Sequence, residues 1–206
     1  MDVDIAGEGP LDLAILRRLI AEAGLAVGRS FWGSAGRGGK SGIDTNLGRW
    51  AAGAIHGRSM VVLRDFDGDE PCPGALRARL LATVPPAMVF RIAVHAAEAW
   101  LIADRAALAQ ALAVSENRLA PGVAPDGIVD PKRTIMEAAR RSRRGDIRNG
   151  VPPSGVGSRQ GGDYNPVLIG FVRNAWRPDI AATRSPSLHR AIQRIADLRA
   201  YLEGHG

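Results

Sequence analysis

The sequence predicts an α/β fold, with a mostly parallel sheet of about four strands flanked by helices and a C-terminal helical extension. Strand-like apolar segments alternate with segments whose apolar residues recur every three or four positions. The predicted strand 59–64 has a continuous apolar centre, typical of a parallel sheet covered on both faces. Acidic residues follow two of the strands, where sheets of this class bind their ligands.

Each element follows from its local pattern. Asp2–Ala6 alternates polar and apolar residues and leads into the turn Gly7-Glu8-Gly9, after which Pro10 suits the first turn of a helix. Further strands are expected over 25–31, 59–64 and 88–94. Helices are expected over 44–56, 73–83, 98–112, 132–144, 164–176 and 187–202, with loops over 121–131 and 148–163. We therefore expect a catalytic core over 1–114 and a helical and loop extension over 115–206 packed on it.

Composition excludes several classes of protein. The 206 residues contain no apolar run near the roughly 20 that a membrane helix needs, and no basic start typical of a secretory signal, so we expect a soluble cytoplasmic protein. The single cysteine excludes an internal disulfide and a cysteine-rich zinc site. The formal net charge is +6, and nearly all of the positive charge comes from arginine rather than lysine. Arginine suits phosphate recognition, although a GC-rich genome also favours arginine over lysine.

The most informative residues are acids at predicted strand ends. Glu8 follows the first strand, and Asp65, Asp67 and Asp69 follow the strand 59–64 within the sequence RDFDGDE. Carboxylates that converge at one edge of a sheet repel each other unless a cation lies among them, and oxygen donors favour Mg²⁺ or Mn²⁺. The alternative interpretation is an ordinary solvated Asp-Gly turn.

This arrangement resembles the Toprim domain of topoisomerases, primases and overcoming-lysogenization-defect nucleases. The matching residues are Glu8 in GEG and the pair Asp65-Phe66-Asp67, within about the first half of the chain. The resemblance implies that Glu8 is an acid/base or a metal ligand, and that the two aspartates hold magnesium. It also implies a defence role against phage beside an ATPase partner.

A longer resemblance covers most of the chain, to a bacterial Toprim-like family called domain of unknown function 4276. It rests on EGPLDLAILRRLI, GGKSG, VVLRDFDGDE, RIAVHAAEAWLIAD, DPK and SPSLHRAI. It makes Glu98 a further candidate metal ligand, with Asp69 as the other secondary acid. The alternative for Glu98 is an acid favoured at a helix N-terminus. Asp104, in the same segment, is expected to be a surface acid.

Haloacid-dehalogenase-like phosphatases offer a rival interpretation of DFDGD. In such an enzyme Asp65 would be the nucleophile and Asp67 the general acid. That motif normally follows the first strand of its domain, however, and here a strand and two helices precede it. The sequence also has no later paired acids at a strand end, so the phosphatase is the second choice.

The glycine-rich segment 33–42 does not fit a nucleotide-binding P-loop. Counting back from Gly39-Lys40-Ser41, the first glycine of the motif should stand at position 34, which is Ser34. A loop carrying Arg37 and Lys40 suits contact with a phosphate backbone, and a plain linker is the alternative.

Basic residues in the second half complete the prediction. Lys132, within DPK, is a candidate for stabilising charge on a scissile phosphate, and Arg140 and Arg141 are candidates for nucleic-acid binding, with a solvated basic face as the alternative. Together with these residues, the resemblance to Toprim proteins implies a Mg²⁺- or Mn²⁺-dependent nuclease or related phosphodiester-cleaving enzyme. A non-catalytic nucleic-acid-binding or assembly subunit stays open, as does a homodimer.

Overall fold

The computed structural model describes residues 1–32, 39–154 and 159–205. Its centre is a four-stranded, all-parallel sheet in the order β2-β1-β3-β4. The strands are β1 (Asp2–Ala6), β2 (Ala26–Phe31), β3 (Met60–Asp65) and β4 (Met88–Ala93). The predicted α/β class, with a parallel sheet of about four strands and a C-terminal helix, is confirmed.

The helices lie between and after the strands. In the first half they are α1 (Pro10–Glu22), α2 (Lys40–Ile55) and α3 (Pro73–Leu80). In the second half they are α4 (Glu98–Ala103), α5 (Arg105–Ala111), α6 (Pro131–Ala139), α7 (Gly145–Gly150), α8 (Tyr164–Asn174), α9 (Pro178–Ala182) and α10 (Pro186–His205). None of these helices is both long and apolar enough to cross a membrane.

Contacts group the chain into two compact units. The first unit comprises residues 1–94 and 187–206, and therefore includes the sheet, α1–α3 and nearly all of α10. The second comprises residues 95–186, with α4–α9.

In the first unit the sheet is packed as a parallel sheet must be. Every residue of β3 is buried, including Arg64 and Asp65 at its carboxyl end. Apolar residues of α2 and α3 pack against Met60 and Val62 of β3 and against alternate residues of β4. This apolar core fixes where β3 ends, and so where the acids that follow it emerge.

The turn after β1 is fixed by a close approach that only glycine permits. A Cβ on Gly7 would lie 2.5 Å from Cβ of Asp12 in α1. The Asp12 carboxylate in turn accepts a hydrogen bond from the backbone N–H of Gly9 at 2.9 Å, which closes a capping box at the start of α1. Glu8 is therefore held between the end of β1 and the beginning of α1.

The second unit corrects two expectations around Asp104. The predicted helix 98–112 is two helices, α4 and α5, which meet at Asp104. Asp104 is 0% exposed rather than a surface acid. Its carboxylate accepts hydrogen bonds from the backbone N–H of Arg177 at 3.2 Å, and from Nε and Nη2 of Arg177 at 2.9 and 2.6 Å. A distant arginine partner explains its burial, and local sequence could not reveal that partner.

Substitutions of Asp104 and Arg177 should lower the free energy of unfolding by different amounts. Arg177→Met leaves the buried Asp104 carboxylate without its cation, whereas Asp104→Asn keeps the side-chain volume and leaves only the half-exposed Arg177 to be solvated. We expect Arg177→Met to lower the free energy of unfolding more than Asp104→Asn, as measured by urea denaturation at pH 7. Arg144→Met, which breaks an exposed pair with Asp146 in the same unit, is the control and should stay near wild type. Equal stability of Arg177→Met and wild type would contradict this assignment.

Candidate functional site

Glu8 and Asp65 lie together at the carboxyl edge of the sheet. Because β1 and β3 are adjacent parallel strands, both chains leave the sheet at the same edge. The backbone N–H of Asp65 donates a hydrogen bond to Oε1 of Glu8 at 3.0 Å, across 57 residues of sequence. The end of β3 thus orients the carboxylate of Glu8, which lies beside Asp65.

This environment disfavours the charged form of Glu8. Burial, followed by repulsion from the carboxylate of Asp65, raises the pKa of Glu8 from 4.5 to about 7. Asp67 raises this pKa further, whereas the hydrogen bond from Asp65 N–H and the charge of Arg64 oppose the rise. Near neutral pH, Glu8 therefore exchanges a proton readily, as a general acid or base must.

A tight turn follows β3 and exposes Asp67. Asp67 and Gly68 both adopt left-handed backbone conformations, with φ of 53° and 73°. The N–H of Asp69 donates to the carbonyl of Phe66 at 3.4 Å, which closes the turn. Aspartate tolerates this conformation better than most residues, and glycine adopts it without steric cost. The Asp-Gly sequence thus favours the turn, which carries both Asp67 and Asp69.

Arg64 is the buried cation that organises this edge. Its side chain is 1% exposed and binds Asp44 of α2 through Nε and Nη2, at 3.0 and 3.1 Å. Nη2 also donates to Asp69 at 2.6 Å, and Nη1 donates to the carbonyl of Asp65. Burial lowers the pKa of Arg64, but the hydrogen bonds to Asp44 and Asp69 outweigh that effect and leave the pKa raised. Arg64 therefore joins α2, the end of β3 and the turn.

Lys40, the first residue of α2, contributes a second cation. Its Nζ lies 2.7 Å from Oδ1 of Asp69 and 3.5 Å from Oδ2 of Asp67. Hydrogen bonds from Lys40 and then Arg64 lower the pKa of Asp69. Gly39, which precedes α2 with φ of 70°, lies beside Glu8: a Cβ there would be 3.9 Å from Oε2 of Glu8. The carboxylate of Glu8 thus approaches the N-terminus of α2, where a helix favours negative charge.

The positive charges at this edge compensate some of its acids more than others. Asp69 is bound by two cations, whereas Glu8 lies next to further carboxylates and is destabilised in its charged form. Within residues 1–32, 39–154 and 159–205, no three His, Cys, Asp or Glu side chains are arranged so that they could hold a metal ion. The donors near Glu8 are nevertheless carboxylate oxygens with a local excess of negative charge, which fits a hard divalent cation. Asp69 fits that role least, because Lys40 and Arg64 already bind it.

The remaining predicted residues lie elsewhere in the chain. In the second unit, Glu98 begins α4, is 4% exposed and accepts a hydrogen bond from the hydroxyl of Tyr164 at 3.0 Å. Lys132 is exposed in the first turn of α6. Arg140 and Arg141 are exposed and line a pocket of about 590 Å³ in the same unit. Arg37 lies outside the described residues.

Sequence reasoning missed Arg64 and Asp44. A signal for Arg64 was present, because this charged residue directly follows the apolar run Met60-Val61-Val62-Leu63 and still belongs to a strand expected to be buried on both faces. Such a residue requires a partner. Nothing local identifies the partner as Asp44, which is 20 residues away on a different element.

No protein-family model, curated protein or solved structure matches the chain. The resemblance to Toprim proteins stays a prediction based on the residues quoted above.

The raised pKa of Glu8 predicts a pH-dependent stability. Because the folded-state pKa of about 7 exceeds the ordinary value of 4.5, the folded protein binds more protons between these values, and its stability falls as pH rises through this window. Glu8→Gln keeps the hydrogen-bond acceptor but has no proton to lose, so its stability should not fall as pH rises through this window. The variant should therefore gain up to about 3 kcal/mol relative to wild type between pH 4 and pH 8.

Urea denaturation with a chelator present measures the difference at each pH. Glu22→Gln, an exposed glutamate paired with Arg18 on α1, is the matched control and should follow the wild-type pH profile. If the Glu8→Gln and wild-type profiles are parallel, the ordinary pKa of Glu8 is retained and the described environment is wrong.

Proposed function

We propose that this chain is a metal-dependent phosphodiester-cleaving enzyme that acts on nucleic acid in the cytoplasm, with a Toprim-like acidic site. The observation that carries the proposal is the hydrogen bond from Asp65 N–H to Glu8, which joins acids from two strand ends at one edge of a parallel sheet. That edge is where ligands bind in sheets of this class. The two residues are 57 positions apart in the sequence. A single acidic turn therefore does not account for their contact.

The proposal assigns separate tasks to the acids. Asp65 and Asp67 would hold Mg²⁺ or Mn²⁺, with Glu8 as a further ligand or as the acid/base. When bound, the ion would neutralise charge on the phosphate and lower the pKa of a water molecule. Without a bound ion the pKa of Glu8 is about 7. A divalent cation between the acids would lower this pKa and favour the carboxylate, which would then accept the proton of the water. Asp69 and Arg64 would position the turn.

Basic residues support a polyanionic substrate. Lys40 lies beside Asp67 and Asp69, where its ammonium group would meet a phosphate held at the same edge. The net charge of +6 is mostly arginine, whose planar guanidinium suits phosphate oxygens. Lys132 as a catalytic cation, Glu98 as a metal ligand and an ATPase partner stay predictions from the sequence, as do nucleic-acid contacts by Arg37, Arg140 and Arg141.

The test is cleavage of DNA and RNA, single- and double-stranded, by purified protein with Mn²⁺ or Mg²⁺. We expect cleavage that a chelator abolishes. Glu8→Gln and Asp65→Asn should each reduce the rate at least about 100-fold, the usual effect of removing a positioned acid or base. Glu22→Gln should cleave at the wild-type rate.

Two results would contradict the proposal. Nucleic-acid binding without cleavage, unchanged in Asp65→Asn, would indicate a binding or assembly subunit. Turnover of a small phosphomonoester with a covalent phosphate on Asp65 would indicate a phosphatase of the haloacid-dehalogenase type.

A further inference from the structure

Three arginines of the first unit surround a pocket beside the edge strand β4. Arg77 of α3, Arg91 of β4 and Arg190 of α10 line a cavity of about 380 Å³, together with apolar residues that include Phe90 and Ile92. We call this cavity the arginine pocket. Its cations come from three separate elements, so their proximity is a product of the fold and not of a basic run in the sequence.

Arg91 has an unusual environment for a largely buried cation. Its Nε is inaccessible to solvent and has no hydrogen-bond partner. Burial lowers the pKa of Arg91, and the charges of Arg190, Arg194 and Arg77 lower it further. The charges that lower the pKa of Arg91 thus belong to arginines of α3 and α10.

Two other buried charges in this protein have partners of opposite charge. Arg64 binds Asp44 and Asp69, and Asp104 binds Arg177. A buried donor without a partner costs stability, more so when it is charged. The arginine pocket is therefore suited to an anionic ligand, which would supply the missing negative charge.

We propose that the arginine pocket binds a phosphate group. A phosphate presents several oxygens to guanidinium groups that approach from different directions, and arginine binds such oxygens through paired N–H donors. The apolar walls would strengthen these contacts by excluding water. The proposal is independent of the carboxylate edge and of whether this protein cleaves anything. The phosphate could belong to a small molecule or to a nucleic-acid backbone, and the experiment separates these sources.

The first measurement is thermal denaturation of the full chain in sodium phosphate and in sodium chloride of equal ionic strength, with a chelator present. A ligand that binds only the folded state raises Tm in a concentration-dependent way. We expect phosphate to raise Tm in a saturable manner and chloride not to. Arg91→Met should raise at least tenfold the phosphate concentration that gives the half-maximal shift.

Arg91→Met has a second expected signature. Because it removes a half-buried cation whose Nε has no partner and keeps an apolar side chain, the variant should be at least as stable as wild type without phosphate. Should Arg91→Met fail to fold, Arg190→Met provides the same test, since Arg190 is exposed and its loss should weaken the phosphate response. Arg199→Met, further along α10 and paired with Glu203, is the matched control and should keep the wild-type response.

The second measurement is binding of a short, unphosphorylated single-stranded oligonucleotide, with free phosphate as competitor. Binding that Arg91→Met and Arg190→Met weaken and that phosphate displaces supports a backbone phosphate as the ligand. A phosphate response without such oligonucleotide binding supports a small-molecule phosphate. The proposal would be overturned if phosphate raised Tm equally in wild type, Arg91→Met and Arg190→Met, or not at all, and neither variant changed oligonucleotide binding.

Discussion

The candidate site depends on the buried guanidinium of Arg64. This cation is 1% exposed, and it joins Asp44 of α2 to Asp69 of the turn and to the carbonyl of Asp65 at the end of β3. A buried charge costs stability when it loses its partners, so the hydrogen bonds of Arg64 hold α2, the strand end and the turn together. The parallel pairing of β1 and β3 brings Asp65 beside Glu8, and Arg64 fixes the turn that follows.

The acids at this edge differ in their pKa values, although each of them follows a strand. Asp69 takes the cations of Arg64 and Lys40, and its pKa is lowered. Glu8 is enclosed beside Asp65, and burial raises its pKa to about 7. Environments that push the pKa values of neighbouring carboxylates apart are typical of sites that combine a proton carrier with charged groups. A purely structural turn would need the ion pairs of Asp69 but not the enclosed Glu8.

Periodicity and strand-end chemistry were enough to predict the sheet and the meeting of Glu8 with Asp65, because both depend on local patterns and on the geometry of parallel strands. Long-range pairs were not predictable. The partners of Arg64 lie on α2 and in the turn, and the partner of Asp104 is 73 residues away. Asp104 was expected at the surface for that reason. Similarly, the acidic run did not reveal that Asp69 is bound by two cations.

The most direct test of this account is a crystal structure of the protein soaked in Mn²⁺, with the ion located by anomalous scattering. We expect an ion at the carboxyl edge of the sheet, in contact with the carboxylates of Asp65 and Asp67 and close to Glu8, while Asp69 keeps its ion pairs. An edge without bound manganese at saturating concentration, with these side chains unchanged, would contradict it.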